Sequence, residues 1–138
     1  MSPKKLFVAA FSLFALAALP ACGPDYDRME ITAVTAPPMG GTVNFQRIEV
    51  IEGTIVTARI EPKNDDNEAM HCHVRALDSS VIEVAAVVND RVYAFIGQHE
   101  GTTRIEFTAE DEVVAVVEAV VKPQPPLTPT TSSTSANQ

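Results

Sequence analysis

The chain has 138 residues, a formal net charge of −8, 46% hydrophobic residues and no tryptophan. That length suits one domain with a single core. The acidic surplus repels phosphate backbones and excludes nucleic acid as a partner.

Lys4 and Lys5 precede an uncharged run over residues 6–19. As a helix this run rises about 21 Å, short of the roughly 20 apolar residues that span a bilayer. A positive start, a short apolar run and a small residue before the cut mark a secretory signal. The alternative, an uncleaved anchor, calls for a longer run. The segment closes at Leu19-Pro20-Ala21-Cys22, which resembles the bacterial lipoprotein signal in Leu19, Ala21 and Cys22 and departs from it at Pro20. The resemblance implies cleavage before Cys22, diacylglycerol on its thiol and acylation of its new amino group. Ordinary cleavage after Ala21 competes, although Leu19 suits an Ala-x-Ala site poorly. Gly23, standing where Asp would retain a lipoprotein in the inner membrane, resembles lipoproteins sorted to an outer membrane.

Loss of residues 1–21 removes both lysines and leaves eight basic against eighteen acidic residues, a formal charge of −10. Membrane contact is then expected from the lipid alone, since two or more acyl chains anchor stably, with the acidic surface turned away from the bilayer. A lipidated Cys22 leaves Cys72 without a partner, so Cys72 is either buried or reactive. An unmodified N-terminus would reopen a Cys22–Cys72 disulfide and a soluble secreted domain.

Residues 22–28 read as a lipidated cysteine and polar tether, and residues 29–122 as the folded domain. Val and Ile are plentiful in it, and β-branched residues favour strands. Residues 29–35 form a first strand, ended by the breakers Pro37, Pro38, Gly40 and Gly41. Residues 42–51 form a second strand whose alternation changes phase. A bulge near Gln46 and Arg47 would put Val43, Phe45, Ile48 and Val50 on one side; two short strands meeting there is the alternative. From Val56 onward the alternation is clean, with Val56, Ala58 and Ile60 inward and Thr57, Arg59 and Glu61 outward. Residues 62–68 read as a polar loop and residues 69–77 as the next strand. Asn89-Asp90 is a two-residue hairpin signal between strands at 81–88 and 91–96. Residues 102–108 place Thr103, Ile105 and Phe107 inward, and residues 113–121 form the last strand. Residues 123–138, rich in Pro, Thr and Ser, read as a disordered tail.

From Gly53 onward the domain resembles the bacterial Ig-like domain, group 2. The resemblance rests on Gly53-Thr54 through Pro62, on Asp78-Ser79-Ser80-Val81-Ile82-Glu83-Val84, on Gly101-Thr102-Thr103-Arg104-Ile105 and on the terminal Val-rich strand. It departs at Val74, where the family carries Trp, and in the long segment before Gly53. The resemblance implies an Ig-like antiparallel β-sandwich of about seven to eight strands, and no functional site comes with it.

Three constellations bear on chemistry. His71 and His73 share one face of a strand, with Cys72 on the other, and two such imidazoles suit Cu or Zn. A third ligand is wanting, because His99 falls at the far end of an Ig sandwich. Solvent-facing histidines beside a cysteine acting as a small hydrophobe are the plainer reading. Asn64, Asp65, Asp66, Asn67 and Glu68 cluster oxygen ligands without EF-hand spacing, which fits a solvated acidic loop. In the last strand Val114, Val116 and Val120 surround Glu118 on the outward face. An outer strand apolar on both faces needs cover, from the residues before Gly53 or from a protein partner. No nucleophile elbow, zinc-protease helix or phosphate loop is present. The expectation is a non-enzymatic, lipid-anchored cell-envelope module with a structural or protein-binding role and no cofactor; the alternative is a periplasmic metal-binding lipoprotein.

Overall fold

The computed structural model describes residues 25–35 and 40–126. Cys22 with the rest of the signal segment, and the tail beyond residue 126, lie outside the described residues. The described residues form nine strands: β1 (Tyr26–Thr35), β2 (Gly41–Val43), β3 (Ile48–Ile51), β4 (Ile55–Asn64), β5 (Cys72–Ala76), β6 (Ile82–Val88), β7 (Val92–Gly97), β8 (Gly101–Ala109) and β9 (Glu112–Lys122).

Alternation at period two gives each strand one apolar face, and two sheets bury those faces against each other. One sheet has the order β1-β4-β7-β6 and the other β2-β3-β9-β8-β5. The first order, together with the β9-β8-β5 run, is the strand arrangement of an Ig sandwich; β2 and β3 are added along β9. Val56, Ala58 and Ile60 of β4 are fully buried, as are Ile105 and Phe107 of β8. Val74, at the position where the resembled family has Trp, is buried in β5.

Four expectations change. The count is nine strands rather than seven to eight, because residues 42–51 break in two instead of bulging. Asn44 Oδ1 accepts the Gln46 and Arg47 N–H groups, both at 2.9 Å. This side-chain bond offers the backbone a turn in place of a ladder, so Val43, Ile48 and Val50 are buried while Phe45 stays 40% exposed. The sandwich is also not antiparallel throughout, since β3 pairs with β9 in parallel. β1 starts at Tyr26, which shortens the tether expected over residues 22–28. Finally, β4 continues through Pro62 to Asn64, where a loop was expected. Pro62 is tolerated because it lies beyond Arg59, the last β4 residue paired with β7. Its carbonyl accepts the Met70 N–H at 2.8 Å, so its nitrogen faces that same side, away from β1, where an isolated bridge takes the place of a ladder.

Both tight hairpins carry their chemistry in two residues. Asn89 and Asp90 have φ of 42° and 50°, and Glu110 and Asp111 have φ of 44° and 70°. Positive φ at both central positions is the type I′ turn that matches strand twist. Tyr93, on β7 of one sheet, reaches across the core and donates its hydroxyl to the Cys72 carbonyl on β5 of the other at 2.8 Å. Replacing Tyr93 with Phe leaves that buried carbonyl short of a donor. The expected cost is about 1–2 kcal/mol, read as a lower urea midpoint at unchanged slope.

Candidate functional site

The two ends of the sandwich differ. Tyr26 pairs with Asn64, so the chain enters the domain beside the turn at residues 64–68. The β6–β7 and β8–β9 turns lie at the same end. His71 joins them: its Nε2 stands 3.7 Å from Asp90 Oδ2, and its backbone N–H donates to Glu110 Oε1 at 2.7 Å. Asp65, Asp66, Asp90, Glu110 and Asp111 therefore gather where the N-terminus arrives. The C-terminus leaves at the other end, where the Glu52 N–H donates to the Lys122 carbonyl at 2.8 Å. A chain held by Cys22 would thus turn its acidic turns toward the bilayer, the reverse of the orientation expected from sequence.

Cys72 is 2% exposed, between β8 and the core. Burial pushes its thiol up to about 11, an effect that the nearby Tyr93 hydroxyl offsets in part and the Asp90 charge reinforces. A thiol protonated at neutral pH is no nucleophile. Of the two readings of Cys72, the buried one holds.

His73 on β5 and His71 just ahead of it turn outward, with Cys72 and Val74 inward, as alternation predicts, and both imidazoles are exposed. His73 sits across from Thr108. His99 is at the far end, with Nδ1 3.5 Å from Glu52 Oε1. Among the described residues, no three His, Cys, Asp or Glu side chains form a group that could hold a metal ion. An open cleft of about 270 Å³ beside His71 is lined by Met70, Cys72, Asn89, Asp90 and Arg91. A larger one, about 350 Å³, lies at Leu77, Asp78, Thr102, Thr103, Arg104 and Glu118. In that cleft the Thr103 hydroxyl is committed to the Asp78 N–H at 3.1 Å, and Ser80 holds the Asp78 carboxyl below its ordinary range.

The acidic turn uses its oxygens internally. Asn64 is buried, and its Oδ1 accepts the Glu68 N–H at 2.7 Å. Asn67 Oδ1 accepts from the Arg28 guanidinium, and Asn67 takes φ of 66° to make the turn. Asp65 and Asp66 are exposed. This is a capped turn with two solvated carboxylates.

β9 is not an outer strand: it lies between β3 and β8. The extra residues before Gly53 cover it along its edge, at Ala119 to Lys122, rather than over its face. A bulge opposite Phe107 and Thr108 shifts its register. Val114 consequently packs against the core, while Val113 turns out to 51% exposure. Val116 is half exposed, opposite Glu106, whose Oε2 holds Arg75 Nη2 at 2.6 Å. Val120 is half-buried beside Glu49, which holds Lys122 Nζ at 2.7 Å. That hydrogen bond keeps the Glu49 carboxyl low. Val114, Val116 and Val120 therefore do not form one apolar face. The edge with a long uncharged run is β6 instead, with Val87 and Val88 each more than half exposed. The signal for it was the charge-free run Val84-Ala85-Ala86-Val87-Val88 ahead of the turn; only the sheet order shows that it lies at an edge.

No family model matches the chain, and no curated protein matches it. Its fold is similar to solved structures of a surface layer protein. Against the crystal structure of the S-layer protein rSbsC(31-844) the TM-score is 0.54 with 17% identity, over 77% of this chain and 14% of that one. Against surface layer protein SbsC, domains 4-9, it is 0.52 with 18% identity, over 77% and 15%. Domains 5-6 of the S-layer protein SbsC give 0.52 and 17%, over 77% and 48%. The chain spans half or less of each of those proteins. At such identities the likeness establishes the β-sandwich fold.

Two outcomes follow from this geometry. Micromolar Zn²⁺ or Cu²⁺ is expected to leave the melting temperature unchanged; a rise abolished by His71→Ala/His73→Ala would restore the metal reading. The Cys72 thiol ionises near pH 9 in the unfolded chain and near 11 in the folded one. Stability is therefore full below pH 9 and is lost as pH rises toward 11, by about 2–3 kcal/mol in all. Urea midpoints should fall between pH 9 and 10, before tyrosines ionise in the unfolded chain, and Cys72→Ala should remove that slope.

Proposed function

We propose that the chain is a non-enzymatic, lipid-anchored module of the cell envelope, tethered through Cys22 and carrying an Ig-like sandwich of the group 2 kind for structural or protein-binding work. The observation that carries this reading is the combination of a β-sandwich similar to domains of an S-layer protein with the Leu19-Pro20-Ala21-Cys22 sequence just upstream of β1. Gly23 at the second mature position favours the outer membrane. The start of β1 and the end of β9 lie at opposite ends of the sandwich, which suits a module that spaces one layer from another. The short tether between Cys22 and Tyr26 reaches roughly 13 Å when extended, which keeps the domain against the bilayer surface. The acidic turns at that end would repel anionic headgroups, so the acyl chains carry the attachment.

Mass spectrometry of the mature N-terminus with membrane fractionation tests the reading. The expected result is an acylated Cys22 and a membrane-bound protein that Cys22→Ser releases. An unmodified N-terminus on a soluble protein would overturn the anchor.

A further inference from the structure

The chain enters the domain through β1 and leaves it through β9, and the two strands run the same way along the sandwich. β1 starts where Tyr26 pairs with Asn64. β9 finishes at the opposite end, where the Lys122 carbonyl accepts the Glu52 N–H. A pull between the two therefore draws each strand along its own axis, one toward either end.

The ladders are long in that direction. β1 is registered with β4 from Tyr26–Asn64 to Thr35–Thr57. β9 is registered with β8 from Glu112 to Val121, and its end, Ala119 to Lys122, pairs also with β3 in parallel. Antiparallel ladder bonds lie perpendicular to the strands. A force along a strand strains all of them together, while a force across a hairpin opens them pair by pair. Side chains add to the hold on β1: Met29 is buried in the core, Tyr26 packs against it, and the Arg28 guanidinium reaches Asn67 Oδ1 beyond the end of β4.

The hydrogen bonds of β4 fix which β1 groups carry that ladder. Ile60 donates its N–H to the Arg91 carbonyl, and the Pro62 carbonyl accepts the Met70 N–H, so both residues face away from β1. Arg59 and Glu61 alternate with them and turn to β1, where their partners are Thr32 and Glu30. The Thr32 N–H thus bonds to β4, while that of Ala33, next along, faces the free edge of the sheet.

We propose that the domain is a load-bearing link, resisting tension between a fixed N-terminus and a fixed C-terminus in shear, through the β1–β4 ladder and the pairings of β9 with β8 and β3. This deepens the spacer reading above and rests on it for the source of the tension. β1 is held by one neighbour and β9 by two, so the β1–β4 ladder yields first.

Single-molecule force spectroscopy tests this on the full chain in mild detergent, produced without acylation. One handle is placed on the Cys22 thiol and the other on Gln124→Cys. The comparison uses Cys22→Ser with handles on His99→Cys and Gln124→Cys, which lie at one end, so that the pull peels β8 from β9. At equal loading rate the end-to-end pull is expected to need about twice the peeling force or more, because the forced unfolding rate sets rupture. Thr32→Pro removes a donor to β4 and should lower the end-to-end force without changing the peeling force. Ala33→Pro, off the ladder, should change neither. An end-to-end force equal to or below the peeling force overturns the proposal, and so does a Thr32→Pro chain that resists as well as its parent. The comparison of the two directions decides the matter should Thr32→Pro fail to fold. Acylation does not enter the readout, so this test and that of the anchor fail separately.

Discussion

The hydrogen bond from the Tyr93 hydroxyl to the Cys72 carbonyl ties the two sheets together across the core. β5 is an edge strand held in its own sheet by β8 alone. A contact across the core fixes its height and tilt against the opposite sheet. The bond also satisfies a phenolic group that is 2% exposed and would otherwise be costly to bury. Everything carried by β5 inherits that placement: the buried thiol, the outward histidines, and the contact between His71 and the Asp90 and Glu110 turns. Among the described residues, which hold no disulfide and no tryptophan, this tyrosine ties one layer to the other.

The second constraint is close backbone approach at two glycines. Between the sheets, a Cβ on Gly97 of β7 would stand 2.6 Å from the Ile51 carbonyl oxygen of β3; within one sheet, a Cβ on Gly41 of β2 would stand 1.9 Å from that of Glu49 on β3. The Gly97 approach lets β3 lie along β9 while its continuation crosses to β4 in the other sheet. The parallel pairing covers the β9 edge at Ala119 to Lys122, and the side-chain pairs Arg75–Glu106 and Lys122–Glu49 keep the outer face of that sheet wet. In the opposite sheet, Arg59, Lys63 and Arg91 surround Glu61 on the outer face, while β6 carries a single charge, Glu83.

Much of the domain was legible in the residues. Alternation in β4 and β8 named the buried side chains correctly, and Asn89-Asp90 located its hairpin, because period two and positive φ are local properties. The burial of Cys72 opposite two exposed histidines followed from the same alternation. The break at residues 44–47 was less legible, since a bulge and a turn satisfy the same hydrophobic pattern and only the Asn44 side chain separates them. The last strand misled for a similar reason. Its bulge moves Val114 inward and Val113 outward, and a bulge is set by the register of β8, not by β9 itself.

The sequence by itself determined the class of fold and the acidic character of the chain, because composition, strand period and turn residues act over a few neighbours. Tertiary structure alone decided which strands lie at edges, that the acidic turns gather where the N-terminus enters, and that no third ligand joins His71 and His73 among the described residues. Those outcomes depend on strand order and on which ends come together. Both arise from pairings between residues far apart in the chain, and a local pattern does not encode them.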